Sequence, residues 1–135
     1  MQVFDESQKE KLIAILTNEL RVLRTKAEIS QQELSKRMGV TRQTYGAIES
    51  KHQRMTWSNF LALLLLFMSN EDTLKIIDWI GVYPPELERY LSLKDYTAEA
   101  VGGDARRTRT EQVAPGRNIR KYLRVKAEKR QGVGK

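Results

Sequence analysis

Leu12, Ile13, Leu16, Leu20 and Leu23 recur at helical spacing between charged residues, the pattern of a helix with one apolar face. It predicts an amphipathic helix from Asp5 or Ser7 to about Lys26. Ser30 and Glu33 have the capping-box spacing, in which hydroxyl and carboxylate each satisfy a free backbone N–H, so a second helix should start at about Gln31 and bury Leu34 and Met38. Gly39 should end it, because only glycine enters a left-handed turn without a Cβ penalty. Thr41 is then a natural N-cap for a third helix that turns Tyr45 and Ile48 inward. Thr56 can cap a fourth helix through "WSNFLALLLLFM". Ser69 or Asn70, with Glu71 and Asp72, can open a fifth carrying Leu74, Ile77 and Ile80, and Pro85 allows a short sixth within "YPPELERYL". No stretch alternates with period two over a convincing length, and Gly and Pro are scarce before residue 81. The expected class is all-α, with five to six helices.

The pattern changes after Tyr96. "TAEAVGGDARRTRTEQVAPG" has few apolar anchors and reads as a linker, whereas "NIRKYLRVKAEKRQG" sets Ile119, Tyr122, Leu123 and Ala127 on one stripe among basic residues, a possible helix over 118–131. The expected division is therefore a domain over 1–96 and a basic linker and tail over 97–135. Charge sharpens that boundary. The formal net charge is +7, and residues 97–135 hold 11 Lys or Arg against 4 Asp or Glu, so the first 96 residues sum to zero. Arg106, Arg107, Arg109, Arg117, Arg120, Lys121 and Arg124 belong to this basic segment. A cationic segment beside a neutral domain suggests a polyanionic partner, nucleic acid first; the plainer alternative is a solvated tail.

Composition removes several classes of function. The 135 residues give room for one domain with an extension. There is no cysteine and one histidine, His52, which argues against disulfides and against a conventional metal site; no cofactor is expected. The longest apolar run, Phe60 to Met68, is too short to span a bilayer, and the amino terminus is polar, so a cytoplasmic protein without a membrane partner is expected. No nucleophile, base and orienting group can be assembled, and there is no phosphate-binding glycine loop, so an enzyme is not expected.

Two short helices across a glycine turn, the second opening on exposed hydrogen-bonding side chains, is the arrangement that places a helix in the DNA major groove. "SQQELSKRMGVTRQTYGAIES", residues 30–50, resembles the helix-turn-helix of the phage repressor and Cro-like family, also called the xenobiotic-response-element family of bacterial and phage regulators. The resemblance rests on Gln31, Leu34, Ser35, Gly39, Val40, Thr41, Thr44, Tyr45, Ile48 and Glu49. It implies a nucleoid-associated protein of bacterial or phage origin whose partner is double-stranded DNA. Carried over by position, Arg42, Gln43, Thr44, Gly46 and Ala47 lie where the family reads bases. Gln31, Thr41, Lys51, Gln53 and Arg54 lie where it meets phosphates, and Arg24 with Glu49 takes the place of a structural ion pair between the first and third helices. Side-chain chemistry fits in part: Arg can pair two-pronged with guanine and Gln with adenine, whereas Gly46 and Ala47 offer close approach or a thymine methyl contact. Two positions depart from the pattern. Tyr45 is larger than the usual aliphatic residue, and Ser50-Lys51 replaces the common Asn-Gly or glycine-containing turn.

The run from Phe60 to Met68 carries more apolar surface than one buried helix face needs, which predicts a symmetric dimer through the fourth, fifth or sixth helix. Trp57 and Trp79 are expected in the core or at that interface. The resulting expectation is a dimeric DNA-binding repressor. Its rival is an antitoxin-like regulator whose tail grips a partner protein.

Overall fold

The computed structural model describes residues 4–93. They form six helices and no strand: α1 (Glu6–Lys26), α2 (Gln31–Met38), α3 (Arg42–Glu49), α4 (Trp57–Met68), α5 (Glu71–Ile80) and α6 (Pro85–Leu91). The all-α expectation is met among the described residues. The tail, the possible helix over 118–131 and all seven tail cations named above lie outside them.

Helices α1 to α5 belong to one compact unit, Asp5–Val82. In it α1 packs against α3, α4 and α5, while α2 packs on α3 and α4, and α4 on α5. Leu16, Leu20 and Leu23 from α1 meet a core that also holds Leu34, Tyr45, Ile48, Met55, Phe60, Leu63 and Ile77, all at most 2% exposed. Each such side chain contributes roughly 1.5–3 kcal/mol on leaving water. Phe4 and the chain from Tyr83 belong to the other unit, whose described part holds α6; there the Phe4 and Tyr90 rings lie 5.5 Å apart.

Helix starts follow local chemistry. Ser30, Thr41 and Thr56 each accept a hydrogen bond from the backbone N–H three residues on, and Asn70 accepts from Asp72 and Thr73. The expected capping box at Ser30 forms only by half. The Glu33 carboxylate turns forward to Arg37 at 3.1 Å instead of back to the cap, and a complete box stands at Asp5 and Gln8. Exposed Arg37, one turn ahead on the same face, is the better partner for a charged carboxylate. Of the two tryptophans expected in the core or at an interface, Trp79 is 89% exposed and so lies outside the core, and Trp57 is half-buried, stacked on Phe60 at 4.8 Å beneath Lys9.

The polar joint between α1 and α3 holds the third helix in place. Arg24 donates from Nε to Glu49 Oε2 and from Nη2 to Glu49 Oε1, each at 3.0 Å, and from Nη1 to the Ile29 carbonyl at 3.3 Å. Glu49 is buried, with 2% of its side chain exposed. Burial raises its carboxyl pKa, but the Arg24 guanidinium above all, with the Tyr45 hydroxyl and the Gln31 amide facing the same carboxylate, holds it below the ordinary glutamate range. The Tyr45 hydroxyl is buried beside this pair without a hydrogen bond of standard geometry; burial first, then Glu49, pushes its pKa far above the usual phenol value.

Glu49→Ala is expected to destabilise the fold by about 3 kcal/mol, since it strands a partly buried guanidinium, and Arg24→Met with Glu49→Leu is expected to recover much of the loss. Because the folded-state pKa of Glu49 is depressed, its contribution is present above the ordinary glutamate pKa and fades as pH falls through the lowered one. Urea melts from pH 7 to pH 2 check both points. The parent should lose this increment on acidification and Glu49→Ala should lack it.

Candidate nucleic-acid interface

Helix α3 has two unlike faces, set by its sequence. Tyr45 and Ile48 are fully buried and Glu49 nearly so, while Arg42 and Gln43 are exposed and Thr44, Gly46 and Ala47 half-buried. Gly39, at φ 82°, lets the chain reverse after α2; its N–H reaches the Ser35 and Lys36 carbonyls and that of Val40 returns to Ser35. α3 therefore starts within two residues of that turn. It is pinned from behind by the core and the ion pair, so the side chains of its first turn project outward from a rigid base.

The residues expected at bases are not equally available. Arg42 and Gln43 stand free at the N-terminal end of α3. Thr44 both donates its N–H to the Thr41 hydroxyl at 3.1 Å and accepts from that hydroxyl at 2.9 Å, leaving its own hydroxyl proton for an outside acceptor. Gly46 is partly covered by α2: a Cβ there would stand 3.6 Å from Gln31 Oε1, ordinary contact. Gln31, at the start of α2, thus lies against α3. Ala47 is half-buried, and its carbonyl accepts from the N–H groups of His52 at 2.8 Å and Gln53 at 3.1 Å in the exposed loop that follows.

The α3–α4 connection explains how a chain without glycine ends this helix. The His52 N–H returns to Ala47 and the Lys51 N–H to Ile48 at 3.1 Å, the paired bonds of a Schellman motif, with Lys51 at φ 67° in the left-handed position. α1 ends in the same way, with Glu28 at φ 55°. Neither end carried a sequence signal, because the usual signal is glycine. Lys51 and Gln53 are exposed in this loop, and the Ser50 hydroxyl pairs with His52 Nδ1 at 2.7 Å. Arg54 is not a free cation: its Nη2 meets Glu10 of α1 at 2.5 Å, a pairing across 44 residues that no local pattern could reveal. Arg21 of α1 was missed for the same reason; its Nε lies 3.6 Å from Glu49 Oε1.

The arrangement provides exposed donors and acceptors at the start of one helix, flanked by the opening of α2 and by a cationic loop. Among the described residues no group of three or more His, Cys, Asp or Glu is placed to hold a metal ion, and no helix is long and apolar enough to cross a membrane.

Lys51 pays for its left-handed backbone, a conformation that costs a residue with a Cβ about 1 kcal/mol. Lys51→Gly is therefore expected to raise stability by about that amount in urea melts. A variant less stable than the parent would show that the lysine side chain holds the loop.

Comparison with known proteins fits this geometry. Residues 20–60 match a helix-turn-helix family model, a span that takes in the end of α1, all of α2 and α3, and the start of α4. Neither curated proteins nor solved structures gave a match. Residues 20–60 are thus a helix-turn-helix segment, in keeping with the resemblance of residues 30–50 to the phage repressor and Cro-like regulators.

Proposed function

We propose that this chain is a transcriptional repressor that binds a specific duplex DNA sequence as a dimer. The observation that carries the reading is the two-faced α3, with Arg42 and Gln43 exposed on a helix whose opposite face is locked into the core. In the major groove Arg42 pairs with a guanine edge and Gln43 with an adenine, while Thr44 and Ala47 add a hydroxyl and a methyl contact and Gly46 permits close approach. Thr41, Gln31, Lys51 and Gln53 meet phosphates, joined by Arg54 once it exchanges Glu10 for the backbone. The tail, with its excess of 11 basic over 4 acidic residues, adds sequence-independent attraction for DNA. Its stripe of Ile119, Tyr122, Leu123 and Ala127 is the feature that favours the rival, capture of a partner protein.

Dimerism has its own support. Leu65 on α4 is 59% exposed and Trp79 on α5 is 89% exposed, large apolar groups that a second copy would cover. Two copies double a small base-reading surface.

Selection of bound sites from random duplex DNA tests the reading. An inverted repeat of two short half-sites is expected, and an unselective pool would contradict sequence-specific binding. On the selected site, Arg42→Ala and Gln43→Ala should each cost about 1–3 kcal/mol per lost base contact and relax preference at one position per half-site, with folding unchanged. In sedimentation the parent should run as a dimer at tens of micromolar. Trp79→Glu, at a position already in solvent, should give a folded monomer with weaker operator binding; a parent that is monomeric with and without DNA removes the dimer.

A further inference from the structure

Glu49 is shared by two arginines on unequal terms. Arg24 takes both carboxylate oxygens at 3.0 Å with 22% of its side chain exposed, whereas Arg21 stands 3.6 Å away with 78% exposed. Beyond hydrogen-bond reach and open to water, the Arg21 contact is a screened attraction of little worth. Glu49 does not need it, since Arg24 already satisfies the buried charge. Arg21 can therefore exchange this carboxylate for another anion at small cost. Gln31, the first residue of α2, borders Gly46 of α3: a Cβ there would stand 3.6 Å from Gln31 Oε1. Arg21 of α1, beside Glu49, and Gln31 of α2, beside Gly46, thus both flank α3. Arg21, Arg24 and Glu49 together carry one net positive charge, which a single phosphodiester would neutralise.

We propose that Arg21 is a phosphate-binding residue that, with Gln31, seats one phosphate of the DNA backbone where α1 and α2 meet α3. The inference rests on the DNA-binding reading above and extends its contact surface to α1, which the family pattern did not supply. Arg21 presents a planar fork matched to two phosphate oxygens, and Gln31 adds one N–H donor. Glu49 remains paired through Arg24 when Arg21 leaves. The ligand is the phosphate backbone of duplex DNA, so the contact carries no base preference of its own.

The test measures affinity against salt concentration for the full chain and for Arg21→Ala and Arg21→Lys, on the selected duplex and on a random duplex of equal length. Arg21→Ala is expected to flatten the slope of log affinity against log salt by about 0.9 and to lower affinity on the order of tenfold at 0.1 M salt, equally on both duplexes. Arg21→Lys should keep the slope. Thermal melts of both variants should stay near the parent's, because Arg24 still holds Glu49; if Arg21→Ala is unfolded, Arg21→Gln, which keeps the long polar stem, is read in its place. An unchanged slope overturns the phosphate role, and so does a loss confined to the selected duplex, which would mark a base contact. A parent with no DNA binding would overturn the wider reading and this inference with it, an outcome distinct from a parent that binds and an Arg21 variant that binds equally well.

Discussion

The orientation of α3 depends on one buried ion pair. Arg24 and Glu49 are 25 residues apart, and their two 3.0 Å bonds fix the end of the third helix to the last turn of the first. Such a pair adds little net stability over an apolar substitute, since desolvation offsets most of the attraction. Its value is directional. A bidentate guanidinium and carboxylate meet in one plane, so α3 can neither rotate nor slide against α1 without breaking both bonds. Arg21 of α1 also lies 3.6 Å from the same carboxylate, so Glu49 meets the first helix at two positions.

Around that joint the chain solves its helix ends locally. Five helices begin with a polar side chain over free N–H groups, and the buried Thr73 donates its hydroxyl to the Phe67 carbonyl at 2.6 Å, tying the end of α4 to α5. Short helices of 8 residues, such as α2 and α3, are marginal by themselves. Caps and packing together make them rigid enough for a three-residue connection to set their mutual angle, and the exposed opening of α3 inherits that rigidity.

Most helix starts were legible in the sequence because capping is a short-range property. Ser30, Thr41, Thr56 and Asn70 each act within three residues of themselves, and the apolar periodicity named the inward side chains Leu34, Tyr45, Ile48 and Ile77. Left-handed ends at Glu28 and Lys51 were not legible, since nothing about those residue types announces the conformation. Pairings of Arg54 with Glu10 and Arg21 with Glu49 were hidden by sequence separation. The size of Trp79 left core and interface open; it stands two residues beyond the buried Ile77, roughly 200° around the helix, on the side that the core does not reach. At the candidate site the family motif nominated the surface, but only the packing distinguished the exposed Arg42 and Gln43 from Gly46, which Gln31 borders, and from the already paired Arg54.

The central claim is that the exposed opening of α3, held by the ion pair, is the surface that meets DNA. Titrating the isotopically labelled chain with an operator duplex and following its backbone amide resonances tests this most directly. The account predicts that the largest changes fall on residues 41–47, with further changes at Gln31 and at the loop from Lys51 to Arg54. Largest changes on α5 around Trp79, with residues 41–47 unmoved, would contradict it.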